Sequence, residues 1–201
     1  MLPSSVMSAT PPRRPGTVAD WLAADEDERL ELIDGELIPK AAPTPAHGSA
    51  QAATVTAMRV PFHRQGGGTG GPGGWWIMTE VDVLLDGRGY RPDVVGWRRE
   101  RSREMPRERP VTLPPDWICE IVSRSNREND TIKKLRRYHE AGVPHYWILD
   151  QLDRTLTAHR HTADGYVIAL RAGAAERVRV EPFAAIELHV AVLLGDDPDG
   201  P

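Results

Sequence analysis

The alternation of apolar and polar blocks over residues 114–150 predicts a strand, a helix and a second strand. Residues 116–123 are almost continuously apolar, which is typical of a strand buried on both faces, and Glu120 lies in their middle. A polar turn leads to a predicted helix over 130–141, which a glycine and a proline end and which should turn Ile132 and Leu135 toward the core. A second apolar run, 146–149, follows. This order predicts a right-handed crossover unit in a mixed sheet.

The pattern upstream predicts a hairpin, a helix and two strands. Apolar residues flank Asp-Gly in 30–38, which is a common hairpin signal. Small residues dominate 47–59, which favours a helix that packs closely on a sheet. Long apolar runs then predict strands over 75–85 and 90–97, and Asp93 stands at the start of the second. Pro92 before it cannot donate to a ladder, so it suits a strand start or edge.

Hairpins dominate the pattern downstream, over 155–161 and 166–170. The whole chain therefore predicts one domain over 17–194. The small, polar, Pro-rich residues 1–16 predict a disordered tail, and residues 195–201 predict a flexible one.

Composition excludes several classes of protein. The formal net charge of −4 is not that of a dedicated nucleic-acid coat protein, so any contact with nucleic acid must be local. The single cysteine, Cys119, excludes an intrachain disulfide framework; it predicts a buried inert thiol and a cytoplasmic location. No apolar run is long enough to span a membrane. The Gly-rich segment 66–74 lacks the Gly-Lys-Ser/Thr ending of a phosphate-binding loop, so no nucleotide cofactor is expected.

The segment 98–109 holds six arginines and three glutamates. A solvated, mobile loop is the ordinary interpretation of such a run. The alternative is a loop that contacts backbone phosphates, because the arginine fork suits phosphate geometry.

Two carboxylates in apolar strands, Asp93 and Glu120, carry the candidate chemistry. A buried carboxylate must be paired, hydrogen-bonded or bound to a cation. If the two strands are neighbours, both can face one pocket, where their hard oxygens suit Mg²⁺ or Mn²⁺. Lys134, on the following helix, either orients an attacking water and stabilises a scissile phosphate or only neutralises a nearby acid.

Two further residues have alternative interpretations. Glu31 alternates with Leu30 and Leu32, so it is either a solvent-facing strand residue or a carboxylate at the rim of the site. His47 lies at the start of a predicted helix, where a capping or packing role and a functional role are both open.

These pieces, in this order, resemble the Uma family of restriction endonucleases, a branch of the PD-(D/E)XK nuclease superfamily. The matching segments are ELIDGEL (31–37), His47, RPDVV (91–95), PPDWICEIVS (114–123), Asp130 with KKLRRY (133–138), and AGVPHYWILD (141–150). The resemblance covers residues 17–194. It implies an α/β fold of the mixed α+β type: a restriction-endonuclease-like core of a mixed β-sheet flanked by helices, with extra hairpins at the N- and C-terminal sides.

The resemblance also implies a metal site and its chemistry. Asp93 would be the first acid, Glu120 the second, and the backbone carbonyl of Ile121 would complete the shell of a Mg²⁺ or Mn²⁺ ion. The superfamily motif places a lysine two residues after the second acid, where this chain has Val122. The family pattern moves the lysine to the helix, and Lys134, four residues before Tyr138, fits better than Lys133.

The same family pattern places other side chains around the metal site. Glu31 would add an acid at its rim, and His47 and Tyr138 would support the inner residues. Arg124 departs from the family, whose chains often have proline at this position; it lies next to the site, where it would touch phosphate.

The predicted function is therefore metal-dependent hydrolysis of DNA phosphodiester bonds by an endonuclease, with DNA as partner and a homodimer plausible from the superfamily. The alternative is a nuclease-like fold without turnover that binds nucleic acid or protein. The missing lysine at Val122 and the acidic net charge favour that alternative.

Overall fold

The structure, a computed structural model, describes residues 13–40, 42–122 and 129–197, without the side chains of residues 129 and 130. Its described strands are, in chain order, β1 (Arg14–Pro15), β2 (Leu30–Ile33), β3 (Glu36–Pro39), β4 (Trp75–Thr79), β5 (Val83–Leu85), β6 (Arg88–Tyr90), β7 (Val94–Arg98), β8 (Trp117–Val122), β9 (His145–Asp150), β10 (Thr155–Thr162), β11 (Gly165–Gly173), β12 (Arg177–Val178) and β13 (Leu188–His189). The described α-helices are α1 (Val18–Ala23), α2 (Pro45–Phe62), α3 (Leu135–Glu140) and α4 (Val190–Leu193). A 3₁₀ turn spans Glu26–Glu28, and a π-helical segment spans Asn129–Lys134.

A six-stranded mixed sheet, in the order β11-β10-β9-β8-β7-β4, forms the centre of the molecule. β8 and β9 are parallel, as a crossover connection requires, and the other neighbouring pairs are antiparallel. The side chains of β8 alternate between two cores. Trp117 and Ile121 join the core on the α2 side, whereas Ile118 and Val122 join the core on the α3 side. Glu120 lies two residues from both Ile118 and Val122, so its carboxylate faces the same, α3 side of the sheet.

A second sheet has five strands in the order β1-β3-β2-β6-β5, and β12 and β13 form a two-stranded one. The hairpin predicted over 30–38 is confirmed as β2 and β3. Arg14 and Pro15, predicted to lie in a disordered tail, instead pair with Leu37 and Glu36 of β3. The other residues of that tail before 13 lie outside the described part of the chain.

The single strand predicted over 75–85 is wrong, because the chain turns between β4 and β5. β4 ends in the six-stranded sheet and β5 begins in the five-stranded one. Glu80, between them, has φ of 52°, in the left-handed region that few non-glycine residues adopt. Its N–H donates to Pro92 O at 3.1 Å. The turn therefore fixes Glu80 beside the residue that precedes Asp93.

The π-helical segment precedes α3 directly, and it changes which of its residues point toward the core. Ile132, predicted to face the core, is 63% exposed, because the wider turn rotates the early residues relative to a regular α-helix. Leu135 is partly buried against the core, as predicted. Lys134 and Tyr138, one turn apart, are both buried on the side of β8.

The remaining helices cover the other face and the ends of the sheets. The helix predicted over 47–59 is longer, because α2 runs to Phe62 with Pro61 in its last turn. Gly195, predicted to begin a flexible tail, contacts α2 through a hydrogen bond from Ser49 Oγ. Among the described residues, no helix combines the length and the apolar composition needed to cross a bilayer.

Candidate active site

Asp93 and Glu120 lie side by side at the junction of β7 and β8. The antiparallel register pairs Val94 with Cys119, which brings the residue before Val94 opposite the residue after Cys119. Both acids are 1% exposed. The Ile121 N–H donates to Asp93 Oδ2 at 2.7 Å, and the Asp93 N–H approaches Glu120 Oε2 at 3.4 Å. The strand that follows Asp93 and the strand that contains Glu120 are therefore neighbours, as the sequence required for both acids to face one pocket.

Lys134 joins Glu120 to Glu31. Its Nζ lies 3.0 Å from Glu120 Oε1 and 2.9 Å from Glu31 Oε1. Glu31 also accepts the backbone N–H of Arg91 at 3.0 Å and is 3% exposed, so the solvent-facing interpretation of Glu31 is wrong. Tyr138 donates its hydroxyl hydrogen to Glu120 Oε1 at 2.9 Å, which fixes the orientation of that carboxylate.

Val122 is fully buried in the apolar core on the α3 side. A lysine there would have to place its ammonium in an apolar environment or bend towards Glu120. Lys134 reaches the same carboxylate from the helix. A cation therefore lies beside Glu120 although Val122 supplies none.

His47 lies in the first turn of α2 and is buried beside Asp93. Its backbone N–H bonds Thr44 Oγ1 at 3.2 Å at the start of α2. Its ring is buried, and Nε2 lies 3.3 Å from Asp93 Oδ1. Thr44 therefore caps α2 by accepting the backbone N–H of His47, whose side chain contacts Asp93.

Three residues around Asp93 were not predicted from the sequence: Lys40, Gln51 and Glu80. Lys40 Nζ donates to Asp93 Oδ1 at 2.7 Å and to Glu80 Oε1 at 3.1 Å. Gln51 lies one turn after His47. Its side-chain amide Nε2 donates hydrogen bonds to Glu80 Oε1 at 3.0 Å and to Asp93 O at 2.9 Å. These contacts join α2, the end of β3 and the turn at Glu80 in one network.

A compositional signal points to Lys40. The chain has three lysines, Lys40, Lys133 and Lys134, against twenty-two arginines (25 − 3). Where arginine is used almost everywhere else, a lysine suggests a position that needs a compact ammonium. Two of the three lysines are buried against the acids of this site.

The charges of the network stabilise one another. Burial alone would raise the pKa of Asp93, but the ammonium of Lys40 and the hydrogen bond from His47 hold that pKa well below its usual range. Burial would lower the pKa of Lys40, but the carboxylates of Asp93, Glu120 and Glu80 outweigh it and raise that pKa. Burial, and then the charge of Glu120, raise the pKa of Tyr138. Asp93 is therefore an anion, Lys40 a cation and Tyr138 a neutral donor at neutral pH.

Cys119 is fully buried beside these acids and does not take part in the network. Burial, with Asp93 and Glu120 next in effect, raises the pKa of the Cys119 thiol well above its ordinary value. The thiol is therefore protonated and enclosed, in agreement with the predicted inert role.

The donor atoms suit a hard divalent cation, although the described residues contain no group of three or more His, Cys, Asp or Glu side chains arranged to hold a metal ion. Mg²⁺ commonly binds one or two carboxylates and keeps several waters, so Asp93 and Glu120 together provide a sufficient set. The Ile121 peptide is adjacent to both acids, since its N–H bonds Asp93. Lys40, however, already holds Asp93 Oδ1 at 2.7 Å.

The Arg-rich segment 98–109 is held in place at several points. The Arg99 guanidinium lies 3.5 Å from the centroid of the Trp76 ring, and Arg101 forms an ion pair with Asp116 at 2.7 Å. Arg103 and Arg107 line an open cleft of about 520 Å³ beside Trp76. Their guanidinium groups form no ion pair or hydrogen bond with other residues that the structure describes. Contact of this loop with phosphate stays a prediction, as does that of Arg124, which lies outside the described residues.

Comparisons with known proteins agree with this architecture. Residues 17–192 match the model of the Uma2 family, which is described as "Putative restriction endonuclease". No curated protein matches the chain. The fold is similar to the crystal structure of a "putative nuclease belonging to DUF820" from Anabaena variabilis, with a TM-score of 0.72 at 20% identity, covering 90% of this chain and 98% of that chain. This likeness confirms the predicted mixed-sheet fold. Because the family model spans well over half of the sequence, the chain belongs to the Uma2 family.

Proposed function

We propose that this protein is a metal-dependent endonuclease that hydrolyses phosphodiester bonds of DNA. The observation that carries the proposal is the convergence of Asp93, Glu120 and Lys134, since Lys134 Nζ lies 3.0 Å from Glu120 Oε1 and the Asp93 N–H 3.4 Å from Glu120 Oε2. Two adjacent buried carboxylates with an ammonium beside them suit binding of Mg²⁺ or Mn²⁺ and stabilisation of a charged phosphate.

In the proposed reaction a water oxygen bonds to phosphorus, the bond from phosphorus to one sugar oxygen breaks, and the proton of the water ends on that oxygen. A bound Mg²⁺ or Mn²⁺ would acidify the water and offset charge on the phosphate. Asp93 and Glu120, with the Ile121 carbonyl, would hold the ion. Lys134 would donate a hydrogen bond to the attacking water or to a phosphate oxygen.

Tyr138 and Glu31 act as positioning residues in this proposal. The Tyr138 hydroxyl holds Glu120 Oε1 at 2.9 Å, and Glu31 holds Lys134 at 2.9 Å. Side chains fixed by such secondary contacts keep the inner groups within the narrow tolerance that catalysis requires.

Cleavage of supercoiled plasmid and of labelled duplex, with Mg²⁺, Mn²⁺ or EDTA, tests the proposal. We expect Asp93→Asn and Glu120→Gln to lower the rate at least ~10²-fold, comparable to the loss of one preorganised electrostatic group. Lys134→Met should have a similar effect, whereas Lys133→Met, which removes the same charge outside the site, should keep the rate of the native protein. Equal rates in all five proteins would refute the site, and single-stranded DNA and RNA substrates would show whether duplex DNA is preferred.

The alternative proposal is a nuclease-like module that binds nucleic acid or protein without turnover. The contact between Lys40 and Asp93 favours it, because Lys40 Nζ, 2.7 Å from Asp93 Oδ1, occupies an oxygen that the metal would need. Duplex binding in the presence of Mg²⁺ with no cleavage by the native protein would support it. A homodimer remains a prediction from the superfamily, which sedimentation velocity would test.

A further inference from the structure

Lys40 follows the last residue of β3, and its side chain is only 6% exposed. Its ammonium lies 2.7 Å from Asp93 Oδ1, 2.8 Å from Arg91 O, and 3.1 and 3.2 Å from the two oxygens of Glu80. An ammonium has three hydrogens to donate, so all of them are used. Within the described part of the chain, every atom that accepts a hydrogen bond from this ammonium is an oxygen.

Such an oxygen shell also suits a hard metal ion. Carboxylate and carbonyl oxygens are the ligands that Mg²⁺ and Mn²⁺ take. A metal bound to Asp93 Oδ1 would lie about 2.1 Å from that oxygen. The ammonium at 2.7 Å from the same atom would then be within a few ångströms of a doubly charged ion. Two cations that share this oxygen repel each other, so binding of the metal weakens the hold of the ammonium on Asp93.

We propose that Lys40 is a resident counter-ion that competes with the divalent metal for Asp93 and releases Asp93 by moving onto Glu80. The inference rests on the metal dependence in the proposed function. Lys40, which lies outside the family motif, would then set the affinity of the site for the metal. In the metal-free protein Lys40 neutralises Asp93, and in the metal-bound protein the metal does.

Glu80 is suited to receive the displaced ammonium. It already accepts from Lys40 through both oxygens and is 28% exposed, far more than Asp93. It lines an open cleft of about 500 Å³, so the ammonium can approach solvent without losing its ion pair. Gln51 and Arg29 hold the Glu80 carboxylate in place at 3.0 and 2.9 Å.

Calorimetric titration of the full chain with Mn²⁺ tests the competition. We expect Lys40→Met to bind Mn²⁺ at least about tenfold more tightly than the native protein. Lys133→Met is the matched control, because it removes the same charge elsewhere, and its affinity should change less than about twofold. Glu80→Gln should bind Mn²⁺ more weakly, since the displaced ammonium loses its partner. The double variant Lys40→Met/Asp93→Asn should lose the site.

The inference would be overturned if Lys40→Met bound Mn²⁺ as tightly as Lys133→Met, or more weakly than it. It would also be overturned if Glu80→Gln bound Mn²⁺ as tightly as the native protein, or if no variant bound Mn²⁺. Circular dichroism and thermal melting show whether each variant is folded. Lys40→Gln, which keeps a hydrogen-bond donor without the charge, replaces Lys40→Met if that variant unfolds, with the same expected gain.

The native protein provides a second measurement that does not depend on any substitution. With three lysines in the chain, protein labelled with ¹³C at the lysine ε-carbon gives three side-chain signals, which single substitutions assign. Saturating Mg²⁺, which is diamagnetic, should move the Lys40 signal and leave that of Lys133 in place. A Lys40 signal that stays in place at saturation would refute the competition.

The two proposals fail in distinguishable ways. Tighter Mn²⁺ binding by Lys40→Met without cleavage of any substrate would support the competition and refute the nuclease activity. Metal-dependent cleavage with the same Mn²⁺ affinity in Lys40→Met and Lys133→Met would support the nuclease activity and refute the competition.

Discussion

Replacement of Lys134 by methionine should destabilise the protein strongly, because one ammonium neutralises two buried carboxylates. Lys134 Nζ lies 3.0 Å from Glu120 and 2.9 Å from Glu31, and these side chains are 3%, 1% and 4% exposed. At an effective dielectric constant of about 20, each pair attracts by about 5–6 kcal/mol before the desolvation of the ammonium is subtracted. Breaking a buried pair typically leaves a net loss of about 3–5 kcal/mol, because an uncompensated charge stays behind.

Urea denaturation at pH 7, followed by tryptophan fluorescence, measures this loss. With a slope of about 2.5 kcal/mol per molar urea, a loss of about 4 kcal/mol lowers the midpoint by about 1.6 M. Lys133→Met is the matched control and should change stability by less than about 0.5 kcal/mol. Adding Glu31→Gln to Lys134→Met should recover part of the loss, since one of the two abandoned charges is then absent. Equal midpoints for Lys133→Met and Lys134→Met would refute the ion-pair reasoning.

Two further predictions follow from the lowered pKa of Asp93 and the raised pKa of Cys119. The pKa of Asp93 is lowered in the folded state, so its stabilisation is complete above the ordinary carboxyl value of 3.8 and is lost as pH falls through the lowered folded value. Unfolding free energy measured between pH 6 and pH 2.5 should therefore fall less steeply in Asp93→Asn than in the native protein, and parallel curves would contradict the assignment. Cys119 is fully buried with a raised pKa, so a thiol reagent such as Ellman's should react with it only after unfolding, at a rate set by opening of the fold. Fast labelling of the native protein would contradict its burial.

The sequence was sufficient to single out the two acids of the candidate site because local patterns determine which strands they lie in or next to. Residues 116–123 are apolar enough to require a strand buried on both faces, and that requirement alone makes Glu120 exceptional. The Asp-Gly hairpin and the crossover unit depend on turn chemistry and connection length, which are also local. Asp93 then lies opposite Glu120 through the β7–β8 register.

The parts that could not be predicted depend on tertiary context. The apolar run 75–85 has nothing in its pattern to mark the turn at Glu80, where the chain passes from one sheet to another. The π-helical segment shifts Ile132 to the surface, although its spacing from Leu135 fits an ordinary helix. Lys40 is 53 residues from Asp93, and a single lysine in a loop gives no periodic signal.

The position of Glu120 has a consequence for how the site can change. β8 is fully buried and bordered by β7 and β9, so its amide hydrogens should exchange with solvent only when the whole domain unfolds. A carboxylate fixed on such a strand cannot be moved by a local fluctuation. The cations reach the acids from less constrained places, the end of β3 for Lys40 and the π-helical segment for Lys134. The acids are therefore held by the most constrained strand of the fold, whereas the cations that neutralise them are held by segments that can move more easily.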